Sequence, residues 1–321
     1  MRPTGQLHLG HLLGALTNWK TLQDEHECFF MVADYHALMS EYEHPERIHQ
    51  WSHDNVADWL AFGIDPARSV IFRQSDVPEH AELFVLLSIV TPLGWLERVP
   101  TYKEQLRELT GRDLATYGFL GYPVLQAADI LLYKANAVPV GEDQLPHLEL
   151  TREIVRRIHA LLKRKIFPEP QAILAEAPKL LGIDGRKMSK SYGNTIALSE
   201  SPEAIRITVQ KMFTDPTRIK MTDAGHPETC NVCGYWKLFA PDRAAQLWEE
   251  CRTSKRGCAQ NKQELAEIIV QLTEPFRARR ASSPGRGEIE RLLQAGAEKA
   301  RVVARQTITE VKTAFGLEGA S

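Results

Sequence analysis

Three short runs constrain this chain more than anything else in it. "CFFMVA" (28–33) is apolar without alternation, and "SVIFR" (69–73) and "AVPV" (137–140) read the same way. A strand with one wet face alternates apolar and polar residues, whereas a strand covered on both faces need not. Between these runs lie stretches of helical spacing, such as "RIHQWSHDNVADWLAFG" (47–63) and "EHAELFVLLSIV" (79–90). Buried strands alternating with helices predict an α/β fold built on a parallel sheet. In such sheets the working residues collect just past the carboxyl ends of strands. Polar groups appear there on cue, with "ADYHAL" after the first run and "GEDQ" (141–144) after the third.

After about residue 195 the pattern changes. "SPEAIRITVQKMF", "RAAQLWEECR", "KQELAEIIVQLTEPF" and "GEIERLLQAGAEKARVVARQTITEVKTAF" are all helical, so a helical second domain ending in one long helix is expected. The chain has 321 residues, 43% of them hydrophobic and 25% charged, as in ordinary globular proteins. Its longest apolar runs, such as "LFVLLSIV" (83–90), fall far short of a membrane span, and no signal peptide precedes the first structured segment, so a cytoplasmic location is expected. A net charge of −2 argues against general coating of nucleic acid but leaves room for a local basic face. "REIVRRIHALLKRK" (152–165) and "FRARRASSPGR" (276–286) could supply one, or could be solvated helix faces.

Four segments carry candidate chemistry. The opening "MRPTGQLHLGH" sets Pro3, Gly5 and Gly10 around His8 and His11, directly before an apolar helical pattern, as a turn presenting ligand-binding groups at a helix start would. "GYPVLQAADILLYKA" (121–135) places Tyr122, Gln126, Asp129 and Tyr133 on one face of an otherwise apolar helix. That stripe suits the wall of a pocket for a ligand with hydrogen-bond donors, or a face turned to solvent. "VPVGEDQLPHLELTREIVRRIHALL" (138–162) holds Glu142, Asp143 and Gln144 at a strand's carboxyl edge. "DGRKMSKSYGN" (184–194) puts Lys187 and Lys190 on a Gly/Ser loop, where mobile lysines can neutralise phosphate oxygens.

The letters themselves say more. Lys-Met-Ser-Lys-Ser at 187–191 is the full KMSKS signature of class I aminoacyl-tRNA synthetases, and "HLGH" at 8–11 resembles their HIGH signature with Leu9 for Ile. "GYPVLQAADILLYKANAVPVGEDQLPHLELTREI", "RPTG…HLG…LGAL", "VADYHAL", "MFTDP" and "GAEKARVVA" resemble bacterial tryptophanyl-tRNA synthetases over essentially the whole chain. Tyrosyl relatives carry a different version of the "GEDQ" segment, which favours tryptophan.

The resemblance implies a Rossmann-like catalytic domain over 1–184, the KMSKS loop at 185–194, and a helical anticodon-binding domain with the C-terminal helix over 195–321. It implies ATP-dependent activation of L-tryptophan to tryptophanyl-adenylate with release of pyrophosphate, then transfer to the 3′ end of tRNA(Trp). ATP with Mg²⁺ is the co-substrate, and a homodimer is the expected assembly. In that scheme His8 and His11 donate to phosphate oxygens, Lys187 and Lys190 close over pyrophosphate, and Lys103 of "PTYKEQ" reaches the triphosphate. Gly10, Asp143, Met188 and Ser189 complete the ATP site, with Asp143 on the ribose and Met188 near the adenine. Asp129 accepts from the indole N–H, Tyr122 and Gln144 hold the ammonium group, and Gln126 and His36 belong to the pocket wall. A buried acceptor for that N–H rejects phenylalanine, which would leave it unpaired.

Cysteines 230, 233, 251 and 258 form a C-x2-C-x17-C-x6-C pattern. Some members of the family hold an iron–sulfur cluster here, ending in a cysteine pair, and Asn261 stands where the last cysteine would be. The residues leave two readings open: a metal site, as a [4Fe-4S] cluster or Zn²⁺, or reduced thiols without metal. Family members also carry a strand and "SG" ahead of "RPTG". The resemblance therefore implies that the first strand is missing, through a start placed too far downstream or in a short member that compensates. Two other functions fit parts of the pattern. One is a HIGH-type nucleotidyl transferase acting without tRNA, which would lack the long helical domain. The other is a catalytically impaired or silent paralogue serving as a binding or regulatory protein.

Overall fold

The computed structural model describes residues 1–100, 115–174 and 180–317. All three expected strands form: β1 (Cys28–Val32), β2 (Ser69–Arg73) and β3 (Ala137–Val140), and a fourth, β4 (Gln171–Leu174), follows. Among the described residues the α-helices longer than four residues are α1 (Thr17–Glu25), α2 (Asp34–Glu41), α3 (Ile48–Phe62), α4 (Glu79–Val90), α5 (Tyr117–Leu131) and α6 (Leu145–Leu162), then α7 (Pro202–Gln210), α8 (Asn231–Phe239), α9 (Pro241–Arg252), α10 (Cys258–Ala281) and α11 (Arg286–Ala314). β4 escapes a sequence reading because "QAIL" is short and only partly buried, so it lacks the apolar run that marks the others. Beyond residue 195 the regular elements among the described residues are helices, as the patterning requires.

The strands do not form one continuous sheet. β1 pairs parallel with β2, Phe30 opposite Ile71, and β3 pairs parallel with β4, Val138 opposite Ala172. Between the two pairs lies a cavity of about 480 Å³ whose lining includes Trp19, Phe29, Met31, Phe72, Asp129, Tyr133 and Val138. Met1 makes one parallel rung at its rim: its amino group donates to Met31 O at 2.6 Å and Ala33 N donates to Met1 O at 2.9 Å.

Two apolar clusters hold the chain together, and both reach into the C-terminal helices. One joins Leu9, Phe30, Val32 and Trp59 to Trp236, Leu265 and Ile269; the other joins Phe72, Leu83, Leu87 and Leu131 to Ala300, Ala304 and Val311. The long helix α11 lies so close to β2 that a Cβ at Gly296 would stand 1.9 Å from the Ile71 carbonyl oxygen, so only glycine fits. Leu148, Val155 and Ile158 of α6 face the core as their spacing predicts. Among the described residues no helix is long and apolar enough to cross a membrane.

Candidate active site

The two signature segments lie far apart in sequence and meet through backbone hydrogen bonds. Leu9 N donates to Ile196 O at 3.0 Å and Leu198 N donates to Leu7 O at 2.9 Å. The stretch just after the lysine loop is thereby clamped beside the histidine turn.

That turn has a specific proton arrangement. His8 Nδ1 accepts from Gly10 N and His11 Nδ1 accepts from His8 N, each at 3.2 Å. A neutral imidazole carries one N–H, so in both rings it sits on Nε2 and is left to donate elsewhere. Burial lowers His8 to about 4, helped by the charge of Lys190, and burial with the neighbouring charges takes His11 well below its usual value. Both rings are therefore neutral donors near pH 7, suited to anionic oxygen. A Cβ at Gly10 would stand 3.0 Å from the His8 ring, which is why the position between them is glycine. A π-helical segment, Leu12–Leu16, carries the turn into α1, a local geometry frequent at functional sites.

Lys190 belongs to the same place. Its Nζ donates to Gly5 O at 2.7 Å, and burial lowers its pKa to about 8. Buried Met188 packs near Gly10. Lys187 is exposed, with Nζ 3.3 Å from Asp143 Oδ2, so the loop already touches the 3₁₀ turn Glu142–Gln144 that follows β3. Asn194, which sequence reasoning passed over, organises the loop. It is buried, its Oδ1 accepts from Ser189 N at 2.8 Å, and its Nδ2 donates to Asp184 Oδ1 at 2.7 Å and to Lys187 O at 3.1 Å.

The α5 stripe is not a row of vacant acceptors. Asp129 Oδ1 accepts from Gln74 Nε2 at 2.7 Å and lies 2.7 Å from His80 Nδ1, while Oδ2 lies 2.7 Å from His36 Nε2. Burial would push this carboxyl up, but His36 and His80 pull it down further, to about 2. The result is a fixed carboxylate on the wall of the 480 Å³ cavity, a volume in the range of ligand pockets. Tyr133 closes the network: its hydroxyl lies 2.8 Å from His80 Nε2 and its ring stacks on Phe29. Gln74 and His80 were not foreseen from sequence, although Gln74 directly follows β2 and obeys the strand-end rule.

The remaining expected residues spread around these centres. Tyr122 OH meets His147 Nε2 at 3.1 Å, and burial holds His147 down at about 4. Gln126 and Gln144 are half-buried on α5 and at the start of α6. Lys103 lies outside the described residues. The two basic stretches are largely occupied within the chain: Arg156 bonds Glu149, Glu153 and Glu169, and Arg280 bonds Asp58.

The four late cysteines gather where α8, α9 and α10 meet. Cys230, Cys233 and Cys251 are buried and Cys258 is half-buried. The Cys233 thiol donates to Cys230 and, with backbone N–H groups at the start of α8, lowers the Cys230 pKa, while the same contact and burial raise Cys233. Arg218 Nη1 stands 3.7 Å from Cys251 Sγ and 3.9 Å from Cys258 Sγ. Asn261 is buried and accepts from Arg256 Nε, so it faces a guanidinium rather than the thiols.

The model for class I tRNA synthetases (W and Y) matches residues 1–274. The tryptophan–tRNA ligase of Thermotoga maritima is 49% identical over 99% of this chain and 98% of its own length, and that of Aquifex aeolicus is 42% identical over 99% and 98%. The crystal structure of tryptophanyl-tRNA synthetase from Campylobacter jejuni complexed with ADP and tryptophan superposes with a TM-score of 0.86 at 34% identity, covering 99% of this chain and 98% of that one.

Proposed function

The chain belongs to the class I tRNA synthetases for tryptophan and tyrosine, and from that premise we infer that it is a tryptophan–tRNA ligase. Its fold is the α/β core with helical C-terminal region of that class. The observation that carries the reading is the backbone clamp between residues 7–9 and 196–198, which holds His8, His11 and Lys190 at one place.

We propose the following division of work. The tryptophan carboxylate attacks the α-phosphorus of ATP, supplied with Mg²⁺, and pyrophosphate leaves; no nucleophile of the chain takes part. Catalysis is then positioning and charge stabilisation. The Nε2–H groups of His8 and His11 donate to phosphate oxygens, Lys187, Lys190 and Lys103 carry charge onto the departing pyrophosphate, and Asp143 and Ser189 hold ATP beside Gly10 and Met188. Asp129 accepts the indole N–H, and Tyr122, Gln126, Gln144 and His36 position the amino acid. A ribose hydroxyl at the free 3′ terminus of the tRNA then takes the tryptophanyl group from the adenylate, releasing AMP, while the helices after residue 195 engage the anticodon, in the cytoplasm.

Assembly as a homodimer is part of the proposal. Val85 and Ile89, one turn apart on α4, are 54% and 73% exposed, and Leu93 and Tyr117 are also exposed, which makes an apolar face suited to a second copy. The cysteines would hold a metal, with an iron–sulfur cluster ahead of zinc. Arg218 beside Cys251 and Cys258 is a cationic donor suited to an anionic cluster. Among the described residues, however, the ligand atoms close enough together to share one ion are those of His49, His53 and Glu290, so the thiols as they stand do not converge on a metal. No step of the reaction runs through that group; iron and sulfide content after anaerobic purification tests it.

Tryptophan-dependent ATP–pyrophosphate exchange tests activation, and charging of purified tRNA tests transfer. Exchange without tryptophan dependence, or none, would overturn the assignment.

A further inference from the structure

A second cluster of metal-capable side chains lies outside the active site. His49 and His53 sit one turn apart on α3, and Glu290 reaches them from α11. One ligand atom from each lies within 4.8 Å of the other two. We propose that His49, His53 and Glu290 form a binding site for a zinc-type divalent ion that clips α3 to α11.

The argument starts from the protons of His53, which is 4% exposed. Its Nδ1 lies 2.9 Å from His49 O and its Nε2 lies 2.8 Å from Glu290 Oε2. Both partners are acceptors, and a neutral imidazole has one N–H to give. With Nδ1–H on the carbonyl, the Nε2 lone pair faces a carboxylate. That contact needs a positive centre, either a second proton on the ring or a cation taken by both groups. His49 favours the cation by offering a third ligand: its ring centroid stands 4.5 Å from that of His53, and one of its nitrogens lies within 4.8 Å of the other two ligand atoms. Two imidazoles and a carboxylate are a zinc-type donor set and a poor one for the hard, oxygen-seeking Mg²⁺ and Ca²⁺.

The surroundings fit. With its proton on Nδ1, His53 donates to the His49 carbonyl 2.9 Å away, the outer contact that fixes a ligating ring, and Arg73 Nη2, 2.6 Å from Glu290 Oε2, orients the ligating carboxylate. His53, Arg73 and Arg286 are the positive groups facing His49 and Glu290 the negative one, and Arg73 is shared with Asp76 at 3.6 Å, whose buried Oδ2 has no partner among the described residues. His49 is exposed, so the ion has a route in and a position open to water. On binding, the metal takes the Nε2 lone pair, and any proton held there passes to solvent.

The test uses the full chain, stripped with chelator and titrated with Zn²⁺ alone or Co²⁺ alone. The expected result is, apart from any cobalt taken by the cysteines, one equivalent of Co²⁺ whose visible d–d bands carry no sulfur charge-transfer component. His49→Ala, a change at an exposed position, weakens that equivalent tenfold or more and abolishes the rise in melting temperature caused by Zn²⁺. Cys258→Ser leaves it intact. Cobalt found solely on sulfur, equal binding by His49→Ala, or no nitrogen-ligated metal at all would overturn the proposal. Amino-acid activation is not the readout, so its failure and failure of the ligase reading are distinguishable.

Discussion

The Asp129 carboxylate and the His80 imidazole stand 2.7 Å apart, and the far side of that imidazole lies 2.8 Å from the Tyr133 hydroxyl. His80 donates to the carboxylate through Nδ1 and meets the phenol oxygen through Nε2, so a fully buried ring is held at both ends. Asp129→Asn keeps the shape but replaces an anionic acceptor, and leaves Gln74, His36 and His80 competing for one amide oxygen. A hydrogen bond to a charged group is worth about 1.5–3 kcal/mol, so kcat/KM for tryptophan falls roughly 10- to 150-fold. Tyr133→Phe, acting only through His80, costs less than about tenfold by the same reasoning. Pyrophosphate exchange measured across tryptophan concentrations checks both; normal kinetics in Asp129→Asn would remove this carboxylate from the pocket.

Lys190 predicts an alkaline limit. Burial lowers its pKa to about 8, so the cation we propose for phosphate is lost as pH rises through that value. Exchange activity therefore declines above about pH 8 in the native chain. Lys190→Arg stays charged there and shifts the decline upward even if its rate at pH 7 is lower. A pH profile of kcat/KM for ATP, identical in the two proteins, would show that another group sets the limit.

How far the sequence could be read depends on what kind of signal each part carries. β1, β2 and β3 are legible from their unbroken apolar runs, although β1 and β3 prove only partly buried, and α6 is legible because its periodicity is strong, whereas α4 is apolar all round. The histidine and lysine segments were legible as letters, yet their meeting depends on bonds between residues 7–9 and 196–198, which no local pattern announces. The same holds for Gln74, His80 and Asn194. Each is one ordinary polar residue whose role comes from its partners in space, 55 residues away in sequence for Gln74 and 49 for His80. The gap between the two strand pairs cannot be read from β1 and β3 themselves, which have the composition of strands with neighbours on both sides; the expectation of a missing strand comes from the family resemblance alone.

Acid should destabilise the chain in two stages. Burial depresses His8 and His147 from 6.5 to about 4. The unfolded chain then binds more protons within that window, so their contribution is complete above 6.5 and is lost as pH falls to about 4. Asp129, depressed from 3.8 to about 2, adds a second loss as pH falls through that lower range. A tenfold change in proton affinity between folded and unfolded chain corresponds to about 1.4 kcal/mol, so the first stage amounts to a few kcal/mol and is readable as a falling urea midpoint. His147→Asn should flatten it; an unchanged slope would mean the loss lies elsewhere.

The close approach of α11 to β2 gives a stability prediction with an internal contrast. A methyl group at Gly296 would meet Ile71 O at 1.9 Å and Ile71 C at 2.7 Å, and these are backbone atoms of a paired strand that cannot swing aside. Gly296→Ala must push the helix off the sheet and open the cluster that joins Phe72 and Leu131 to Ala300 and Ala304, at a cost of about 3 kcal/mol or more. Gly234, in the middle of α8, has nothing within 4 Å of its missing Cβ. There the same substitution only restricts the unfolded backbone and improves helix propensity, stabilising by about 0.5–1 kcal/mol. Urea unfolding of the two variants should therefore move the midpoint in opposite directions; a Gly296→Ala midpoint at or above that of the native chain would mean that α11 does not rest on β2.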